Sequence, residues 1–183
     1  ISERILGLRF QISAFSFFQT NSHGAEKLFS LVQEFAGSKP GVVYDLYCGT
    51  GTIAQIISPL AEKVIGIEIV PEAIEAARKN ARVNGLNNCA FIAGDVLTEL
   101  DSVDEQPELV ILDPPRAGIH PRALGKVIAL GAPRLIYVSC QPVSLAKYLE
   151  VLAAKGYTAT VVKCLDMFPH TPHVETVVQL ESV

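Results

Sequence analysis

Between residues 42 and 140, short runs made almost wholly of apolar residues alternate with stretches of helical periodicity. The runs are GVVYDLY, KVIGIEI, CAFIAGD, PELVILD and RLIYVSC. A strand that is apolar on both sides needs cover on both faces, and the intervening helices supply it. The pattern predicts a parallel sheet sandwiched between helices. PEAIEAARKNARVNG carries Pro71 in its first turn, Gly85 at its end, and Glu75 and Lys79 four apart in the favourable order. SHGAEKLFSLVQEFAG repeats Ala25, Leu28, Leu31, Val32 and Phe35 at helical spacing before Gly37. GTIAQIISPLA reads as a helix broken late by Pro59, and PRALGKVIAL as a weaker one. PVSLAKYLEVLAAKG places Leu145, Tyr148, Leu149 and Leu152 on one apolar stripe. The opening LGLRFQISAFSFFQTN is strand-like and aromatic. The closing runs YTATVVKCLDMF and HVETVVQLESV are separated only by PHTPH, too short for a helical crossover, so they are expected to pair antiparallel.

The 183 residues, about half of them apolar, suit one domain with a sizeable core spanning 1–183. An opening in mid-sequence without Met leads us to expect a fragment of a longer protein. No apolar run approaches the roughly 20 residues of a membrane helix, and no membrane or protein partner is implied. Cys48, Cys89, Cys140 and Cys164 form no CxxC pair and no metal-ligand spacing, which fits a reduced, cytoplasmic chain without metal or disulfides. His170 and His173 lack a third ligand. A net charge of −4 argues against strong nucleic-acid binding by this segment alone.

VVYDLYCGTGTIA sets Gly49 and Gly51 between a strand and a helix, where glycine lets backbone approach a ligand. The spacing Gly49, Gly51, Ala54 does not by itself exclude a dinucleotide. Asp45 favours another reading, since it starts the D-x-x-x-G-x-G pattern of S-adenosylmethionine (SAM) enzymes. Glu68 ends the next strand, where an acid accepts from ribose hydroxyls, and Asp95 ends the one after, where an adenine amino group would be met. With the expected C-terminal hairpin, this is the methyltransferase variant of the α/β Rossmann-like architecture: a class I SAM-dependent methyltransferase with a mostly parallel sheet.

Asp113 ends the fourth strand in LVILDPPRAG, at the sheet rim where ligands of such folds sit. An aromatic after D-P-P would suggest methylation of an exocyclic amino group; Arg116 stands there instead. Cys140 ends the fifth strand at the same rim, and Pro142 opens the next helix. A helix N-terminus facing a thiol favours its thiolate. The competing reading is a buried apolar cysteine, which we keep for Cys48, Cys89 and Cys164. A nucleophile beside SAM fits a substrate that needs activation, such as pyrimidine carbon 5: thiolate addition at carbon 6 makes carbon 5 nucleophilic, and a base later removes its proton. Glu175 is the candidate base, against the plainer reading of an exposed edge-strand charge.

SFFQTN, DLYCGTGT, GIEIVPEAIEAARKNARVNG, ILDPPRAG, YVSCQP and FPHTPHVE occur in the order seen in the RNA uracil-5-methyltransferases, and the chain resembles the catalytic domain of that family along its length. The resemblance implies methylation of carbon 5 of uridine in RNA, with Cys140 as nucleophile and Glu175 as proton acceptor. It places Gln19 at the cofactor and substrate site, and Tyr47, Glu68 and Asp113 on cofactor-binding positions with Asp95 near another. It suggests that Arg116 organises Asp113. FPHTPHVE leans toward 23S ribosomal RNA; the alternatives are the T-loop uridine of transfer RNA, or a non-catalytic SAM- or RNA-binding module. An RNA-binding domain, and in some members an iron–sulfur cluster, would lie upstream. Thr52 and Gln141 replace residues that are often Asn in the family.

Overall fold

The structure, a computed structural model, describes residues 2–12, 19, 21–171 and 173–183. The aromatic stretch at 13–18, read above as strand-like, lies outside the described residues. The chain opens with a hairpin of β1 (Ser2–Ile5) and β2 (Leu8–Gln11), followed by α1 (Ser22–Ala36). Then come β3 (Val42–Leu46), α2 (Thr52–Ile57), β4 (Lys63–Glu68), α3 (Pro71–Val83), β5 (Cys89–Ala93) and α4 (Val96–Glu99). The remainder is β6 (Leu109–Leu112), α5 (Pro121–Ala129), β7 (Arg134–Ser139), α6 (Pro142–Ala153), β8 (Tyr157–Leu165) and β9 (Glu175–Ser182).

The main sheet has seven strands in the order β5-β4-β3-β6-β7-β9-β8. β3 through β7 run parallel, and β9 pairs antiparallel with both β7 and β8. The expected C-terminal hairpin is therefore present, with one feature that its sequence did not reveal: the last strand inserts between β7 and β8. The chain proceeds outward from β3 through β4 to β5 and then returns to β3's other side as β6. That reversal opens a crevice beyond the carboxyl ends of β3 and β6.

Two apolar clusters cover the sheet. Leu28, Val32 and Phe35 of α1 join Val43, Ile111 and Ile136 on one face. Leu124, Val127, Leu145 and Leu152 join Leu46, Val110 and Val178 on the other. Residues such as Val43 and Tyr44, successive on one strand, are both fully buried, as the two-sided apolar runs require. The hairpin docks through carboxamides of α3. Asn84 accepts from the Arg9 amide at 2.8 Å and donates to its carbonyl at 3.0 Å; Asn80 does the same for Gln11, at 2.9 and 3.4 Å. Two side chains thus stand in for a neighbouring strand. Cys164, expected to be buried, is exposed, because β8 is an edge strand. Among the described residues no helix is long and apolar enough to cross a membrane.

Candidate active site

A cleft of about 750 Å³ opens at the carboxyl rim of the sheet. It is lined by Gln19, Asp45, Tyr47, Gly49, Thr52, Glu68, Asp113, Arg116, Cys140 and Glu175, with apolar walls from Phe29, Ile69, Val70 and Phe168. Eight of the residues singled out from sequence as cofactor or catalytic candidates are thus brought together, with Arg116 beside them.

Tyr47 turns the chain out of β3 with φ 65°, a left-handed conformation unusual for a bulky residue. Burial, and next the nearby Asp95 carboxylate, push its phenol up to about 12. Glu68 braces the following loop: one carboxylate oxygen accepts the Gly49 amide at 3.1 Å and the other the Val70 amide at 3.0 Å. Thr50 and Thr52 place their hydroxyls 3.4 Å apart. Asp45 is fully buried at the end of β3. Its Oδ2 accepts the Ala54 amide of α2 at 2.8 Å, while its Oδ1 has no partner among the described residues. Burial, with the Asp113 carboxylate next, raises the Asp45 carboxyl well above its usual range. This acceptor on the cleft wall starts the glycine-loop pattern, whose spacing is its signal in the sequence.

Two of the expected residues stand outside the cleft lining. Gly51 does not line the cleft. It adopts φ 71° at the N-terminus of α2, and a Cβ there would lie 2.5 Å from Phe91 and 2.9 Å from Ala77, so the glycine serves core packing. Asp95 is exposed and also outside the lining; its carboxylate caps α4 by accepting the Leu97 amide at 2.9 Å. It touches the site only through its charge on Tyr47.

Strand register explains the other half of the cleft. Ser139 at the end of β7 lies opposite Thr176 of β9. The next residue outward on each strand is Cys140 on one and Glu175 on the other, and both line the cleft. Because β9 is antiparallel, its first residue reaches the rim where the parallel strands end. Glu175 is 7% exposed, which removes the reading of a solvated edge charge. Burial raises its carboxyl above the usual value and the Arg116 guanidinium partly offsets this. Arg116, expected to organise Asp113, is exposed at the cleft wall, and its charge also bears on Glu175. Asp113 is pushed up to about 7 by burial and then by Glu175. Cys140 is half-buried on the cleft wall and is no core filler. Gln141 is exposed and turned away, its carboxamide oxygen accepting from the Ser144 hydroxyl at 3.3 Å.

The cleft thus joins a thiol to a buried carboxylate on one side and a braced glycine loop to acids on the other. Four acids against one guanidinium suit a ligand bearing positive charge. Phe29 and Phe168, reached from α1 and from the approach to β9, carried no local sequence signal. Asn21 ties those segments together, accepting the Gly24 amide at 2.9 Å and donating to the Met167 carbonyl at 2.7 Å. Among the described residues no cluster could hold a metal ion.

Residues 3–183 match the family model described as tRNA (Uracil-5-)-methyltransferase. An RNA methyltransferase of Clostridium tetani is 58% identical over 98% of this chain, which spans 40% of that relative. A second, from Porphyromonas gingivalis, is 48% identical over 98% of the chain and again spans 40% of the relative. The crystal structure of Pyrococcus abyssi tRNA (uracil-54, C5)-methyltransferase in complex with S-adenosyl-L-homocysteine superposes with a TM-score of 0.87 at 34% identity, covering 98% of this chain and 44% of that one.

Proposed function

The chain belongs to the tRNA (Uracil-5-)-methyltransferase family, and from that premise we propose that it is the catalytic part of an enzyme methylating carbon 5 of uridine in RNA with SAM. The observation that carries the reading is the juxtaposition of Cys140 and Glu175 at the rim, one step beyond the Ser139–Thr176 pair.

The cleft suits SAM on two grounds. Its volume fits a ligand of that size. Its acids, with the unpartnered Oδ1 of Asp45 among them, complement an ammonium and a sulfonium. Glu68, held by two amides, would meet the ribose; Tyr47, Gly49, Thr52, Asp113 and Gln19 would complete the pocket. Bound SAM supplies an electrophilic methyl group.

Cys140 acts first in this reading. Its thiolate bonds to carbon 6 of uracil, and the electron pair displaced makes carbon 5 nucleophilic enough to take the methyl group, whose bond to sulfur breaks to leave S-adenosylhomocysteine as a neutral thioether. Glu175 then accepts the carbon 5 proton. The electrons of that C–H bond restore the 5,6 double bond, and the S–C6 bond breaks to return the thiolate. A carboxyl held above its ordinary range is a stronger base than a solvated one, which suits this step.

Ribosomal RNA is the first substrate reading, from the FPHTPHVE segment. Transfer RNA is the second, favoured by the Pyrococcus abyssi enzyme at 34% identity. The test uses the full-length protein with ribosomal and transfer RNA containing 5-fluorouridine. Fluorine cannot leave as a proton, so a SAM-dependent covalent adduct through Cys140 is expected with the true substrate. No adduct with either RNA would overturn the catalytic reading.

A further inference from the structure

Tyr148 of α6 reaches across the face of the sheet to the loop that follows β6. Its hydroxyl accepts the Ile119 amide at 2.9 Å and lies in donating range of the Ile119 carbonyl at 3.4 Å. Its ring stacks on Tyr137 of β7, with centroids 5.8 Å apart and planes 23° from parallel. Gly118 makes room for the hydroxyl: it has φ 81°, and a Cβ there would come within 2.0 Å of the Tyr148 oxygen. The Gly118 amide donates to the Pro115 carbonyl at 2.8 Å, closing a turn that carries Arg116. Upstream, Asp113 donates to the Leu46 carbonyl at 3.4 Å, but Pro114 and Pro115 have no amide hydrogen with which to fasten the loop. The loop is therefore secured chiefly at Gly118 and Ile119, where Tyr148 holds it.

We propose that Tyr148 is a positioning residue for Arg116: by gripping the Gly118–Ile119 backbone it holds the turn that carries the guanidinium at the cleft wall shared with Glu175, and it joins this turn to the helix that starts beside Cys140. This rests on the reading of Glu175 as the base. The titratable and charged groups that share the cleft wall with Glu175 here are Asp113 from the end of β6, Arg116 from the turn, and Cys140 from the end of β7. β8 places Leu165 opposite it; Asp166, next along, turns to the Phe168 amide at 3.2 Å. His173 lies two residues upstream in the chain. Burial raises the Glu175 carboxyl and the Arg116 charge partly offsets that rise. If Tyr148 lets go, that offset weakens and the carboxylate is lost at a higher pH.

The experiment follows the release step of the full-length protein as a function of pH, in single turnovers on its RNA substrate. Y148F should trap 5-fluorouridine RNA to within about twofold of the parent, while the acidic limb of release moves up by roughly half a pH unit. R116Q should move the limb at least as far, and the double variant no further than R116Q. G118A, whose Cβ would meet the Tyr148 hydroxyl at 2.0 Å and the ring at 3.0 Å, should shift the limb in the same direction, and thermal melts of Y148F and R116Q that match the parent guard against a folding defect. A Y148F limb superimposable on the parent's, or shifts of Y148F and R116Q that add, would overturn the proposal. A limb that survives in E175Q would overturn the base assignment itself, whatever Y148F does.

Discussion

Ser139 binds Gln141 across the residue between them. Its hydroxyl oxygen accepts the Gln141 amide at 3.1 Å and donates to the Gln141 carbonyl at 3.2 Å, enclosing Cys140 in a small hydrogen-bonded ring. Ser139 is buried, so both bonds are sheltered from water. S139A should therefore slow covalent trapping of 5-fluorouridine RNA by roughly tenfold, about 1.4 kcal/mol, the scale of one or two net hydrogen bonds. S139T should restore most of the rate. Affinity for S-adenosylhomocysteine, measured by calorimetry, should not change; a parallel loss there would show a general disturbance.

Removing the base separates two steps that normally run together. E175Q keeps the shape of the side chain but cannot accept the carbon 5 proton. It is expected to transfer methyl from labelled SAM and then stall, with the methylated RNA–protein adduct accumulating on denaturing gels. Release should fall by roughly 10²–10⁴-fold. C140A should show no adduct at all. Normal turnover by E175Q would assign the proton to another group.

The two loop glycines should respond differently to alanine. At Gly51 a Cβ meets Phe91 and Ala77 in a left-handed backbone, so G51A should cost about 2–4 kcal/mol of stability in denaturant titrations. At Gly49, φ 52°, a Cβ meets nothing within 4 Å. G49A should cost about 1–2 kcal/mol at most and act mainly on cofactor affinity, since Gly49 lines the cleft.

The buried acids predict a pH dependence with a definite sign. Asp113 titrates at about 7 in the fold, against its ordinary value of 3.8, and Asp45 is also raised. The folded state binds the proton more tightly than the unfolded chain does. The stability linked to Asp113 is thus fully present below about 4 and is lost as pH rises toward 7. D113N should flatten this slope in thermal melts between pH 5 and 8. A cationic ligand should drive these protons off: SAM binding near pH 6.5 is expected to release protons, read from calorimetry in buffers of different ionisation enthalpy. A melt that is independent of pH in the parent would refute the burial argument.

The alternation of apolar runs with helices made the parallel sheet readable, because two-sided burial leaves a mark on every residue of a strand. Strand order left no such mark. Glu175 illustrates the cost: on the last strand of a hairpin it reads as an edge charge, and only the insertion of β9 beside β7 buries it next to Cys140. α4 leaves no mark in the sequence because four residues do not make a period, and the letters do not show that Asp95 caps it. Gly51 reads as a ligand position for a similar reason. The letters show that a side chain is missing but not whether the space left over belongs to a cofactor or to Phe91. Phe168 lines the cleft from a segment that Asn21 ties to the start of α1 through the Met167 carbonyl, a contact more than a hundred residues apart in sequence that no local pattern encodes.

The placing of β9 between β7 and β8 also governs the order in which the domain can be assembled as it leaves the ribosome. β8 is made before the strand that must separate it from β7, so until β9 arrives the emerging chain shows two unsatisfied strand edges. The same late strand delivers Glu175. A nascent chain stopped after β8 would already carry the thiol and the glycine loop, yet have no group to end the reaction at the thiol. On the proposed mechanism, closure of the sheet and the ability to let go of RNA are therefore acquired in a single event.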